Sequence, residues 1–288
     1  MEVKVLGPVE ATVGPRPVAV SAHQRLIIAV LAANAGNPVP ADVLIEAVWS
    51  DRLPSKPLAA LQNLISRLRM RLPADRATAI GTAGSGYLLD PTACSIDWMH
   101  FERALQEARR DADAVASLAA YRAALEAWRG AAYGELADRP ELAAHAHRLE
   151  ELAAVAREEL AALMTGLDPV GAVIELEALV ARQPFRERGH ALLMEALHRC
   201  HRQRDALAVF RDYERFLGEE LGLAPSPALR ELESLILTDA LDQPARHAGH
   251  RLVDAVVTAG PATTIERTHN LPERLTSFVG RDEDLAAV

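Results

Sequence analysis

The chain has 288 residues, of which 50% are hydrophobic, 25% charged and only 4% aromatic, with a formal net charge of −9. This length accommodates two domains with their own cores, and the acidic balance excludes a protein that coats nucleic acid indiscriminately. The longest apolar run, 26–33, is too short to span a bilayer, residues 1–10 lack the regions of a signal peptide, and Cys94 and Cys200 build no disulfide framework, so a cytoplasmic protein without membrane contact is expected.

The charge is unevenly spread. Residues 1–92 carry nine Lys/Arg against seven Asp/Glu, a net +2, and the remainder carries 22 against 33, a net −11. A mildly basic module therefore precedes an acidic one.

Residues 1–20 read as short strands, with VKVLG and PVEATV parted by Gly7-Pro8, and PVAV following Gly14-Pro15. A first helix is expected to open at Ser21, where Ser21 and Gln24 match the capping-box spacing. Its apolar face, Leu26, Ile27, Val30 and Leu31, runs to a break at Gly36-Asn37-Pro38. A second helix is expected from Pro40 to Trp49. The third, 57–72, organises the module. Pro57 suits a first helical turn, and Leu61, Leu64, Ile65, Leu68 and Leu72 form one apolar stripe. The opposite face carries Gln62, Asn63, Ser66, Arg67 and Met70, with Arg69 and Arg71 flanking the stripe.

That outer face is short and polar, suited to donate to base edges: Arg matches guanine, and Asn or Gln matches adenine. Flanking arginines suit phosphates. Taken alone, the pattern also describes an amphipathic helix with a solvated basic face. The neighbouring segments decide between the two. In 76–90, two β-prone pieces around Gly81, Gly84 and Gly86 read as a hairpin. Strands, three helices and a hairpin make a winged helix-turn-helix, with the third helix in the major groove and the hairpin as the wing. Arg76, Thr78, Thr82 and Ser85 can touch DNA from the wing, or serve only as hairpin polarity.

The stretch SAHQRLIIAVLAANAGNPVPADVLIEAVWSD, followed by LQNLISRLRMRL and GSGYLLD, resembles the DNA-binding domain of the Streptomyces antibiotic regulatory protein (SARP) family, an OmpR-type winged helix. Gln24-Arg25, Trp49, the Ser-Arg-Leu-Arg run from Ser66 and the Gly-Tyr-Leu-Leu from Gly86 carry the match. Pro40-Ala41 departs from it where a capping polar residue is usual, as does Asn63-Leu64-Ile65 where an aromatic is usual; the second departure touches the groove face. Base reading is assigned to Arg67 first, with Asn63, Ser66 and Gln62 beside it. Backbone contacts are assigned to Arg69, Arg71, Lys56, Arg25, Arg76, Thr78 and Thr82.

From Asp97 onward the chain reads as nearly continuous helix, broken at Gly130, 138–140, 166–169, Gln183-Pro184 and 222–227. Three helices share a frame, each starting at an aspartate: Asp113, Asp168 and Asp205. Apolar residues follow at +2 (Val115, Val170, Leu207), +5 (Leu118, Val173, Phe210), +8 (Tyr121, Leu176, Tyr213) and +12 (Leu125, Val180, Leu217). Helices stacked in this way resemble tetratricopeptide repeats. The stretches RLEELAAVAREELAAL and 178–237 resemble the bacterial transcriptional activation domain that follows the winged helix in SARP proteins.

The expected architecture is mainly α: a winged helix over 1–92, an all-α, tetratricopeptide-like activation domain over 95–242, and a linker over 243–270 rich in Pro, Gly, His and Thr. In 271–288, LTSFVGRDEDL resembles the entry to the STAND-type ATPase module of large SARP regulators. The chain stops before that module's P-loop, so it is expected to be an N-terminal part of a longer protein that does not itself hydrolyse ATP. The absence of a receiver segment ahead of the winged helix argues against phospho-aspartate control in cis.

No catalytic motif is present. His198, Cys200 and His201 read as a helix-end cluster, because no second cluster completes four ligands. No cofactor or metal is expected. The resemblance implies a non-enzymatic activator that binds direct repeats in promoter DNA, with protomers side by side. It also implies promotion of secondary-metabolite genes and contact with RNA polymerase holoenzyme, including its sigma factor. Two other readings are a repeat scaffold that has lost DNA affinity and the regulatory half of a nucleotide-dependent switch.

Overall fold

The structure is a computed structural model that describes residues 1–50, 52–73 and 77–241. The expected linker and the 271–288 segment, like Arg76, lie outside the described residues.

Three short strands open the chain: β1 (Glu2–Lys4), β2 (Glu10–Val13) and β3 (Arg16–Pro17). They pair antiparallel in sequence order, with Val3 opposite Ala11. Helix α1 (Ala22–Ala33) begins as the capping box requires. The Gln24 N–H donates to Ser21 Oγ at 3.3 Å, and the Ser21 N–H donates to Gln24 Oε1 at 3.1 Å. Next come β4 (Val39–Pro40), α2 (Ala41–Trp49), α3 (Pro57–Met70) and the hairpin β5 (Ile80–Ala83) and β6 (Gly86–Leu89). Strand β4 pairs with β6 and makes the wing a three-stranded sheet. The sequence places Pro40 at a helix start, and the structure gives it a second role as a strand residue. Helix α2 has no side-chain cap, and the Ala41 N–H instead donates to Ser85 O at 3.3 Å. The wing thus supplies what the proline cannot.

Strand β7 (Ser95–Ile96) runs parallel to β1 and completes a four-stranded sheet, β3-β2-β1-β7. Two residues have no periodicity, so nothing in the sequence marks this strand. It delivers the chain to α4 (Asp97–Arg110), which starts with a buried carboxylate. Asp97 accepts the Val5 N–H at 2.9 Å and the Leu6 N–H at 3.0 Å, and Arg129 lies 3.8 Å away. Burial pushes the Asp97 pKa up, against the pull of these hydrogen bonds and of Arg129.

The helical layer continues through α5 (Ala114–Glu126), α6 (Pro140–Leu167), α7 (Pro169–Arg182), α8 (Glu187–Arg199), α9 (Gln203–Leu221) and α10 (Pro227–Leu237). Asp113 and Asp168 are N-caps, accepting the N–H of Val115 and of Gly171. Asp205 is not. Arg202 caps α9, and Asp205 lies one turn in, paired with Arg202 Nε at 2.7 Å. The shared frame holds where helices face one another: Val173, Phe210, Tyr121, Leu176, Tyr213 and Leu217 are buried. It fails at +2 in two of the three helices, where Val115 and Val170 are exposed, while Leu207 is half-buried against the core. No helix among the described residues is long and apolar enough to cross a membrane.

The two layers meet along the connection from α5 to α6. The Arg129 N–H donates to Leu6 O at 2.8 Å and the Tyr133 N–H to Val5 O at 2.7 Å. Trp98 Nε1 donates to Ala32 O at 3.0 Å, and Arg139 Nη2 to Ala47 O at 2.8 Å. Val3, Val5, Leu6 and Tyr133 are fully buried, and one apolar core runs from the first sheet into the helical layer.

Candidate nucleic-acid interface

Helix α3 splits into two faces as its spacing predicts. Leu61, Ile65 and Leu68 are buried, with Leu72 just beyond the helix, and Leu64 is half-buried. Gln62, Asn63, Ser66 and Arg67 are exposed, and Met70 is 74% exposed between the base-reading candidates and the wing end of the helix. Arg67 has no hydrogen bond or ion pair to any of the described residues, so its five N–H donors face solvent.

The flanking arginines are held differently. Arg69 Nε donates to Ile80 O at 2.8 Å and Nη2 to Thr82 Oγ1 at 2.9 Å, with the guanidinium 5.8 Å from the Tyr87 ring centroid. It bolts α3 to the wing, and Thr82 is its acceptor. Arg71 Nη1 donates to Ala19 O and, at 3.0 Å, to Gln24 Oε1. Gln24 Nε2 in turn donates to Leu64 O at 3.0 Å. The same Gln24 therefore caps α1 and fixes α3 against it.

The remaining candidates scatter. Lys56 is exposed at the N-cap of α3, where helix N–H groups also point outward. Thr78 is exposed on the short turn before β5. Arg25 turns away, 3.1 Å from Glu135 in the connection between α5 and α6, and so joins the contact between layers. Arg52, exposed in the connector ahead of Lys56, is a further cation next to α3 in sequence that the sequence reading did not single out. Its only signal is its position just before the groove helix.

A buried-stripe helix with a free polar face, braced by a second helix and a three-stranded wing, defines a winged helix-turn-helix protein of the DNA-binding class. Residues 15–89 match the family described as transcriptional regulatory protein, C terminal, and residues 96–237 match the bacterial transcriptional activator domain. Regulatory protein DnrI of Streptomyces peucetius is 31% identical over 252 residues, covering 82% of this chain and 92% of that protein. Regulatory protein AfsR of Streptomyces coelicolor is 34% identical over 289 residues, covering 96% of this chain but only 27% of that protein. A solved structure of Mycobacterium tuberculosis EmbR in complex with a low affinity phosphopeptide superposes with a TM-score of 0.78 at 29% identity, over 89% of this chain and 69% of that one. The chain belongs to the Streptomyces antibiotic regulatory protein family of transcriptional regulators, and both matched domains are those of regulators, not of enzymes.

Proposed function

We propose that this chain is a sequence-specific DNA-binding transcriptional activator that inserts α3 into the major groove of promoter DNA. The observation that carries the reading is the contrast on α3 itself. Arg67 has no partner among the described residues and is exposed, and the helix beneath it is fastened on one side to α1 and on the other to the wing. A rigid helix with a free arginine is what direct base readout needs.

Arg67 reads a base, with Asn63, Ser66 and Gln62 as shorter-reaching partners. Lys56, Thr78, Arg76 and the spare guanidinium donors of Arg69 and Arg71 contact phosphates, as does Thr82 from the wing. Arg25 is reassigned to the contact with the helical layer, because Glu135 already takes its charge. The acidic helical layer reaches RNA polymerase holoenzyme and its sigma factor, not DNA. Protomers sit side by side on direct repeats in promoters of secondary-metabolite genes, in the bacterial cytoplasm. The 1–92, 95–242, 243–270 and 271–288 boundaries belong to the same proposal.

Footprinting on promoter DNA flanking the gene tests this. Protection of two direct repeats, with affinity falling steeply as salt rises, is expected. Affinity that ignores both sequence and salt would leave a protein-interaction scaffold as the better reading.

A further inference from the structure

The helical layer contains a cavity that the DNA-binding reading does not use. It holds about 710 Å³ between the α5–α6 connection, α6 and α7. That falls within the ~300–1,000 Å³ typical of small-molecule sites. Its apolar wall is Trp128, Leu179, Ala143 and Ala146. Arg157 and Arg182 share another part of the lining.

Arg157 is half-buried and Arg182 is exposed where it lines the cavity. Neither donates a hydrogen bond or forms an ion pair among the described residues. The Arg157 guanidinium lies 5.7 Å from the Trp128 ring centroid. Burial lowers the Arg157 pKa, the Arg182 charge lowers it further, and Glu150 and Glu175 offset this only in part. Two lining residues also carry polar atoms shut off from solvent with no partner among the described residues, Trp128 Nε1 and Gln183 Oε1. Of the acidic groups on the lining, Glu150 is already engaged by the Ala132 N–H at 2.7 Å, and Asp138 is exposed.

We propose that this cavity binds a small aromatic carboxylate, with Arg157 and Arg182 taking the carboxylate and the Trp128–Leu179 wall taking the flat apolar body. Guanidinium pairs suit the planar oxygens of a carboxylate, and an apolar wall of Leu179, Ala143, Ala146 and the Trp128 surface beside Arg157 suits a flat apolar body. The cavity wall 128–132 belongs to the connection that donates hydrogen bonds to Leu6 O and Val5 O.

The test uses the full chain and 1-naphthoate, with binding read by calorimetry. Saturable binding with one site per chain is expected. Arg157→Gln and Arg182→Gln should each raise Kd at least tenfold, and Arg110→Gln, an exposed arginine elsewhere, should leave it unchanged. Ala143→Trp narrows the cavity from an exposed helical position and should also abolish binding, while circular dichroism reports an intact fold. 1-Naphthylmethanol, which keeps the ring and lacks the charge, should bind at least tenfold more weakly. No saturable binding, equal affinity for the alcohol, or a Kd insensitive to both arginine variants would each overturn the proposal.

Discussion

Arg67 and Arg69 are two residues apart on α3 and meet opposite surroundings. Arg67 has no partner among the described residues, and Arg69 gives its Nε to Ile80 O and its Nη2 to Thr82 Oγ1. Arg67→Ala should therefore cost about 1–3 kcal/mol of DNA binding and flatten preference at one base position per half-site. Arg69→Ala should lower the melting temperature and weaken cognate and scrambled DNA alike, because it unbolts the wing. Binding isotherms on both DNAs, with a melting curve for each variant, decide the matter. If Arg67→Ala weakens both DNAs equally, Arg67 is a phosphate clamp.

His145 shows a second residue-level effect. Arg148 Nη2 donates to its Nε2 at 3.3 Å, so the imidazole proton sits on Nδ1 and points to the Tyr133 hydroxyl at 2.7 Å. Burial, then the Arg148 charge, lowers its pKa to about 4. A histidine whose folded pKa is depressed binds fewer protons when folded than when unfolded. Its contribution is intact above about pH 6.5 and is lost as pH falls toward 4. Chemical denaturation at a series of pH values should show stability falling through that window, and His145→Gln should flatten the slope there. An unchanged slope in the variant would place the acid sensitivity elsewhere.

At the scale of elements, the wing depends on a glycine. A Cβ on Gly86 would lie 2.1 Å from Val39 O, so no side chain fits between β6 and β4. Gly86→Ala should separate the strands, expose Tyr87 and weaken DNA binding along with thermal stability; a variant that melts like the wild type would contradict the pairing. Ser21→Ala should cost about 0.5–2 kcal/mol by removing the α1 cap. The loss should appear in urea titrations with little change in DNA sequence preference, since Ser21 does not touch the groove face of α3.

At the scale of the whole molecule, the first sheet and the helical layer are built into one another. A fragment of residues 1–92 ends before Ser95, Ile96 and Asp97, so it loses the β7 partner of β1 and the acceptor of the Val5 and Leu6 N–H groups. Such a fragment should melt below the intact chain, and extending it to residue 97 should recover only part of the difference, because Tyr133 and Arg129 are still missing. In the full chain, Asp97→Ala removes the acceptor of three N–H groups, and those of Val5 and Leu6 are left unpaired beside a buried core, at about 1–3 kcal/mol each. Asp97→Asn, which retains an acceptor oxygen, should cost less. An Asp97→Ala variant that melts like the wild type would show that the carboxylate does not hold the layers together.

The sequence by itself determined what is local and periodic. The stripe Leu61, Ile65, Leu68 and the polar face opposite it follow from 3.6 residues per turn. The Ser21–Gln24 cap follows from a three-residue spacing, and the wing turn from Gly84, which sits at φ +56°. Asp113 and Asp168 cap their helices for the same local reason. What only the tertiary structure decided depends on residues far apart in the chain. Strands β4 and β7, two residues each, exist because β6 and β1 offer them partners. The sequence separates Arg67, on the groove face, from Arg69 and Arg71 beside the stripe, but it does not show what each of them meets. Long-range acceptors at Ile80, Thr82, Ala19 and Gln24 commit Arg69 and Arg71, while Arg67 has none among the described residues, and Glu135, 110 residues away, pairs with Arg25. A side chain's period fixes which face it leaves the helix from, but the partner it finds there is set by how the chain folds back on itself.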